Sequence, residues 1–265
     1  MVYPFIDIGA NLTDQSFDHD RKTVIENAFD KGLEAIIVTS SSIKDTKKAI
    51  SLAKQYPGKI WATAGVHPHN AELTDKSFEQ DLSELLHQNE VIALGECGLD
   101  YFRNFSSKET QKIVFEKQLI LSVELQLPLF LHQRDAHDDF LSMLKEHCTH
   151  PVKGVAHCFT GTKEQLKSYL DAGLYIGVTG WLCDSRRNKD LLDAIKYLPK
   201  DRLLIETDAP YLMPRLLAKQ LKTRRNEPQF LSEIANELAV QMQTDISELS
   251  AITLENSKNL FDRLG

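Results

Sequence analysis

Eight short apolar runs succeed one another along the chain: FIDIGAN, EAIIVTS, IWATAGVHPH, VIALGECGLD, PLFLHQRD, KGVAHCFTG, YIGVTGWLCD and LLIETDAPYL. Between them lie segments such as TVIENAFDKG, DTKKAISLAKQY, TQKIVFEKQLILSVEL and NKDLLDAIKYL, whose apolar residues recur at helical spacing. Strands that are apolar almost throughout and alternate with helices belong to a parallel sheet covered on both faces. Eight such units match a closed (β/α)8 TIM barrel, an α/β fold. An open doubly wound sheet fits less well, because no G-x-G-x-x-G follows the first run and the polar residues do not gather at one switch point. Gly32 and Gly173 suit left-handed helix caps, and Pro57, Pro128 and Pro199 stand where a helix must stop. LLAKQLKTRRNEP has no clear period and is expected to be a long loop. FLSEIANELAVQM and ISELSAITLENSKNLFDRL are expected to be the last helices, so the barrel carries an extra C-terminal helix. With 265 residues and no linker-like segment, the expectation is a single domain spanning 1–265.

The opening MVYPFIDIGANL lacks a basic stretch leading into a long apolar one, and no apolar segment of about 18 residues occurs. Cys97, Cys148, Cys158 and Cys183 form no C-x-x-C pair, so neither a disulfide framework nor a zinc ribbon is indicated. Free thiols and the absent secretory signal lead to the expectation of a soluble, cytoplasmic protein with no membrane contact. No protein partner is expected. The net charge of -7 argues against nonspecific coating of duplex nucleic acid, which draws its affinity from cations on phosphates. It leaves room for a nuclease, since metal ligands and catalytic acids themselves add negative charge.

In such a barrel the chemistry sits at the C-terminal ends of the strands, and here the polar residues come late in their runs. His67 and His69 close GVHPH, Glu96 lies in GECGLD, His132 lies late in the strand run of LFLHQRD, His157 lies in VAHCFTG and Asp208 in IETDAP. A single histidine or carboxylate at a strand end is more often a hydrogen-bonded structural group or a cap. Several together at one barrel mouth would demand many buried pairings without a metal. A divalent metal site is therefore expected, though imidazoles with carboxylates do not name the ion. Asp208 is the candidate general base. His67 either orients a phosphate, protonates a leaving oxygen or is structural, and His69, after Pro68, is expected to be a loop residue.

GVHPH, GECGLD, the LHQRDAH stretch, HCFTG, IGVTGW, LLIETDAPYL and RRNEP together resemble the TatD family of metal-dependent deoxyribonucleases, within the amidohydrolase superfamily of TIM barrels. The resemblance runs in order along nearly the whole chain. It implies Glu96, His132 and His157 as metal ligands and Asp208 as the catalytic acid or base. It also implies hydrolysis of DNA phosphodiesters, with 3′-to-5′ exonuclease action on single-stranded ends and a role in DNA repair. Mg2+ is the implied ion, with Mn2+ or Zn2+ as alternatives, and RNA is an alternative substrate.

The chain departs from many relatives at FIDIGANLTD, where an H-x-H pair would stand at Gly9 and Asn11. Glycine has no side-chain ligand and Asn only a neutral amide oxygen. One strong ion site and a weak second one, through Asp208 and substrate phosphate, are the expectation. Strand alternation leaves Asp7 and Asn11 as candidate oxygen or water-mediated contacts. Cations in the loops after the strands, among them Arg103, Arg134, Arg224 and Arg225, are candidates for holding substrate phosphates. Two other readings stand beside the nuclease: an amidohydrolase acting on a C-N bond or lactone, and a barrel that binds nucleic acid without turnover.

Overall fold

The computed structural model describes residues 3–264. Its strands are β1 (Phe5–Ala10), β2 (Leu33–Val38), β3 (Ile60–Ala64), β4 (Val91–Asp100), β5 (Leu129–Arg134), β6 (Gly154–Ala156), β7 (Tyr175–Val178) and β8 (Leu203–Ile205). They form one eight-stranded sheet in sequence order, with every registered pair parallel. An isolated parallel bridge joins Ala10 to Ala209. With a helix after each strand this is the eight-stranded TIM-barrel architecture. Three helices follow β8: α8 (Arg215–Leu221), α9 (Leu231–Gln241) and α10 (Ile246–Leu260).

By backbone contact the chain divides into two compact units. The first comprises Met1–Val38, Cys158–Lys167 and Ile176–Gly265, and the second Thr39–His157 and Ser168–Tyr175. The first unit buries Ile8, Ile25, Ile36, Leu249 and Leu260 around β1, β2, β8 and the last helices. In the second, Phe115 and Phe140 stack with centroids 5.8 Å apart, and all ten residues of β4 are buried.

The helix α4 (Lys108–Leu125) positions two segments of the second unit through buried glutamines. Gln118 accepts the N–H of Val66 at 2.8 Å and donates to its carbonyl at 3.0 Å. Gln111 does the same for Asp100, at 2.8 and 3.0 Å. Each side-chain amide thus substitutes for a neighbouring strand where the ladder stops.

Several strands end earlier than their apolar runs suggest, β7 at Val178 within YIGVTGWLCD among them. β3 stops at Ala64, so His67 lies beyond it, capping a 3-10 turn that opens with Pro68 and accepting the His69 N–H on its side chain. His157 follows β6 by one residue, and Asp208 lies three beyond β8 with a left-handed φ of 54° that no strand allows. The segment expected to be a loop contains α8, closed by Lys222 at a φ of 53°. No residue of α8 is buried, which is why its sequence shows no apolar period. Gly32 and Gly173, with φ of 98° and 100°, are left-handed as expected. All four cysteines are free thiols. Among the described residues no helix is long and apolar enough to cross a membrane.

Candidate metal centre

In the second unit Glu96 Oε1 lies 3.0 Å from His132 Nδ1, 3.1 Å from His157 Nε2 and 3.3 Å from His67 Nε2. The strand ladder explains how Glu96 reaches them. Gly95 faces Phe130 and Cys97 faces Leu131, so Glu96 is an extra residue between β4 and β5, a bulge that re-aims its side chain. Gly98, opposite His132, has a φ of 143°, and a Cβ there would stand 1.9 Å from the His132 carbonyl oxygen. Only glycine lets the two backbones approach this closely.

Asp100, at the end of β4, holds the outer side of the group. Its Oδ2 lies 2.7 Å from His69 Nε2 and 3.3 Å from His132 Nε2. Its Oδ1 accepts the backbone N–H groups of Phe102 at 3.0 Å and Arg103 at 2.8 Å. His132 therefore has a carboxylate at each ring nitrogen. Asp100 and His69 were not picked out from the sequence as parts of one site. The GECGLD run carries the signal for the first of them in the aspartate that closes it, beside the glutamate.

The charges are set by burial and pairing together. Burial disfavours ionised Glu96, yet the His157 and His67 imidazoles and the hydrogen bonds from His132 and His157 hold it well below the usual carboxylate range. Burial likewise opposes ionised Asp100, and the hydrogen bonds of His132 and His69 overcome it and hold the carboxyl low. For His132, burial works against the cation, while hydrogen bonds to Asp100 and Glu96 raise its pKa. Burial pushes His67 down to about 4, so it is neutral at physiological pH.

His67, Glu96 and His132 each offer a ligand atom, all within 4.8 Å of one another, and form a group that can hold a metal ion. The donor chemistry fits a divalent cation, since three imidazole nitrogens face one buried carboxylate oxygen and borderline ions favour nitrogen with oxygen. His67 enters this group in place of His157, which the resemblance implied. Its Nδ1 accepts the His69 N–H at 3.1 Å. The neutral ring thus carries its proton on Nε2, where it donates toward Glu96.

The family model described as TatD related DNase matches residues 6–262. The chain belongs to this family. A Rahnella protein named 3'-5' ssDNA/RNA exonuclease TatD is 46% identical over 255 residues, covering 96% of this chain and 97% of that one. Among solved structures, a TatD family hydrolase from Entamoeba histolytica superposes with a TM-score of 0.89 at 34% identity, covering 98% of this chain and 99% of that one. YJJV, a TatD homologue from Escherichia coli K12, gives a TM-score of 0.90 at 28% identity, with 99% of each chain covered.

Within this TatD chain, the H-x-H departure lies in the first unit and has a structural use. Asn11 Nδ2 donates to Asp208 Oδ1 at 3.0 Å, while the Asp208 N–H donates to the Gly9 carbonyl at 2.8 Å. Asn11 therefore orients Asp208. Asp7, expected as a candidate ion contact, is instead committed to the backbone. Its Oδ1 accepts the N–H groups of Thr207 at 2.9 Å and Gly9 at 3.2 Å, and its Oδ2 lies 2.5 Å from Thr207 Oγ1. The reason is burial, since Asp7 is wholly inaccessible and needs every partner.

Burial pushes the Asp7 carboxyl up to about 8 against the opposing hydrogen bonds of Thr207. The folded state keeps a proton that an unfolded chain loses near 3.8, so this contribution to stability is full below that pH. It declines as pH rises and levels off above about 8, where both states are ionised. Asp7→Asn should flatten the fall in melting temperature between pH 5 and 8, measured by thermal denaturation. An unchanged slope would assign the fall to another group.

The candidate phosphate-binding cations differ in how they are held. Arg103 and Arg224 are exposed, and the Arg134 guanidinium stacks 3.8 Å from the centroid of the Phe102 ring. Arg225 is bound inward, to Asp20 at 2.9 and 2.6 Å, Glu227 at 2.8 Å and the Ser16 carbonyl at 2.8 Å. Its charge is met within the protein.

Proposed function

We propose that this protein is a divalent-metal-dependent nuclease that hydrolyses DNA phosphodiester bonds, working 3′ to 5′ from single-stranded ends. The observation that carries the reading is the buried carboxylate oxygen of Glu96 ringed by three imidazole nitrogens, in a chain of the TatD family. Glu96 and His132 would hold the ion with His157 as third ligand, since on the neutral His67 ring Nε2 carries the proton and Nδ1 accepts the His69 N–H. When bound, the ion polarises a phosphoryl oxygen and lowers the pKa of water. His67, whose Nε2 carries the proton, serves as a donor that steadies Glu96 or a phosphate oxygen. Asp208, oriented by Asn11, is the general base and the anchor of a weaker second ion site. Arg103, Arg134 and Arg224 guide phosphates, and Arg225 secures the loop that presents Arg224.

The test is degradation of end-labelled single-stranded DNA, with RNA of the same sequence alongside, in Mg2+, Mn2+ or Zn2+ and again with chelator. The resemblance implies Mg2+, whereas an imidazole-rich donor set favours the other two. The expected result is stepwise loss of the 3′ end that chelator abolishes. Binding without cleavage would favour a non-catalytic barrel. Hydrolysis of a cyclic amide or lactone with none of DNA would favour the amidohydrolase reading.

A further inference from the structure

We propose that Arg186, Arg187 and Arg215 form a second phosphate-binding subsite, one that takes backbone phosphates of single-stranded nucleic acid other than the one being cleaved. The class of ligand rests on the nuclease reading, while the subsite itself rests on geometry within the first unit.

After β7 the chain makes a 3-10 turn, Gly180–Cys183, and then places Asp184, which is 5% exposed. Three guanidinium groups gather on this one carboxylate. Arg186 makes a two-pronged contact, with Nε 2.8 Å from Oδ1 and Nη2 2.6 Å from Oδ2. Arg187 Nε lies 3.1 Å from Oδ2, and Arg215 Nη1 lies 3.9 Å from Oδ1. Among the described residues no other carboxylate pairs with any of the three.

One negative charge against three positive ones leaves two uncompensated. Mutual repulsion should scatter such groups, and a single bidentate Arg186–Asp184 pair would already satisfy the loop. The structure nevertheless fixes the other two. Gly180 brings the turn so close to the segment before α8 that a Cβ would stand 2.0 Å from the Leu212 carbonyl oxygen, and this approach carries Arg215 to Asp184. Arg187 lies over the Trp181 ring at 3.7 Å, and Trp181 Nε1 donates to the Arg187 carbonyl at 3.1 Å. The side chains remain 64%, 44% and 38% exposed, so guanidinium N–H groups beyond those on Asp184 face solvent. A preorganised fork of donors with residual positive charge matches phosphate oxygens.

The experiment uses the full chain carrying Arg187→Ala and Arg215→Ala, with Arg186 kept to hold Asp184. Binding of labelled single-stranded DNA, a dinucleotide and a 12-mer, is followed by fluorescence polarisation across a salt series without divalent metal. The 12-mer should bind about tenfold more weakly, and the slope of log affinity against log salt should fall by about 1.4, the value for two single-strand phosphate contacts. Dinucleotide binding should be unchanged. A variant with both arginines replaced by Lys should keep the slope, which separates lost charge from misfolding. An unchanged slope in the Ala variant, or equal loss for the dinucleotide, would overturn the subsite. Cleavage by the unaltered protein is scored separately. A reduced slope without any cleavage would keep the subsite and remove the nuclease reading, and cleavage with an unchanged slope would do the reverse.

Discussion

Glu96→Gln should abolish detectable divalent-ion binding and lower metal-dependent cleavage by about 1,000-fold, equivalent to roughly 4 kcal/mol of transition-state charge stabilisation. The substitution keeps the shape of the side chain and removes only its charge. In the native arrangement that charge faces His132, His157 and His67 through one oxygen, and Gln offers those nitrogens a neutral partner in its place. Calorimetric titration with Mn2+ and Mg2+, run beside the DNA degradation assay, checks both parts. Full binding heat with full activity would place the ion elsewhere. Because Gln still accepts a hydrogen bond, the far-ultraviolet dichroism should match that of the unaltered chain.

Asp100→Asn should weaken ion binding by about 10- to 100-fold although Asp100 itself need not touch the ion. The backbone N–H groups of Phe102 and Arg103 demand an acceptor at the Oδ1 position, so the Asn carbonyl must take it. The Asn amide N–H groups then occupy the Oδ2 position and point at His132 Nε2 and His69 Nε2. His132 can then keep a proton only on Nδ1, the nitrogen that faces Glu96. A protonated nitrogen cannot ligate. Nitrogen-15 spectra of labelled histidine, recorded without metal, should show a proton on His132 Nε2 in the unaltered protein and its loss from that nitrogen in the variant. Unchanged tautomer populations together with unchanged ion affinity would reduce Asp100 to a loop cap.

Much of this fold was legible because parallel barrel strands are buried on both faces and so stand out as apolar runs. Seven of the eight runs contain their strand whole, and EAIIVTS misses only Leu33 at the start of β2. The ends of those strands were less legible. GVHPH reads as a continuation of β3, but Gln118 of α4 claims Val66 and Pro68 starts a turn, so tertiary contacts decide where the strand stops. Helix α8 escaped notice because it buries nothing. In the metal group, Glu96 and His132 were legible as late polar residues in apolar strands. The bulge that aims Glu96 was not, since one extra residue in a ladder leaves no compositional mark. Arg225 shows the opposite limit. Its cationic sequence context reads as a phosphate contact, and only the folded chain reveals Asp20, 205 residues away, as its partner.

The Asp7–Thr207 contact also has a consequence for biosynthesis. These groups are separated by 200 residues, and the bridge from Ala10 to Ala209 spans nearly the same distance. One edge of β1 therefore waits for the far end of the chain to leave the ribosome, roughly 10 to 40 s at 5 to 20 residues per second. Throughout that interval FIDIGA, buried at all six positions once folded, presents an open row of backbone donors and acceptors to any neighbouring strand. Nascent chains stalled before β8 thus carry an open strand edge that the complete chain covers, and should aggregate more readily than it does.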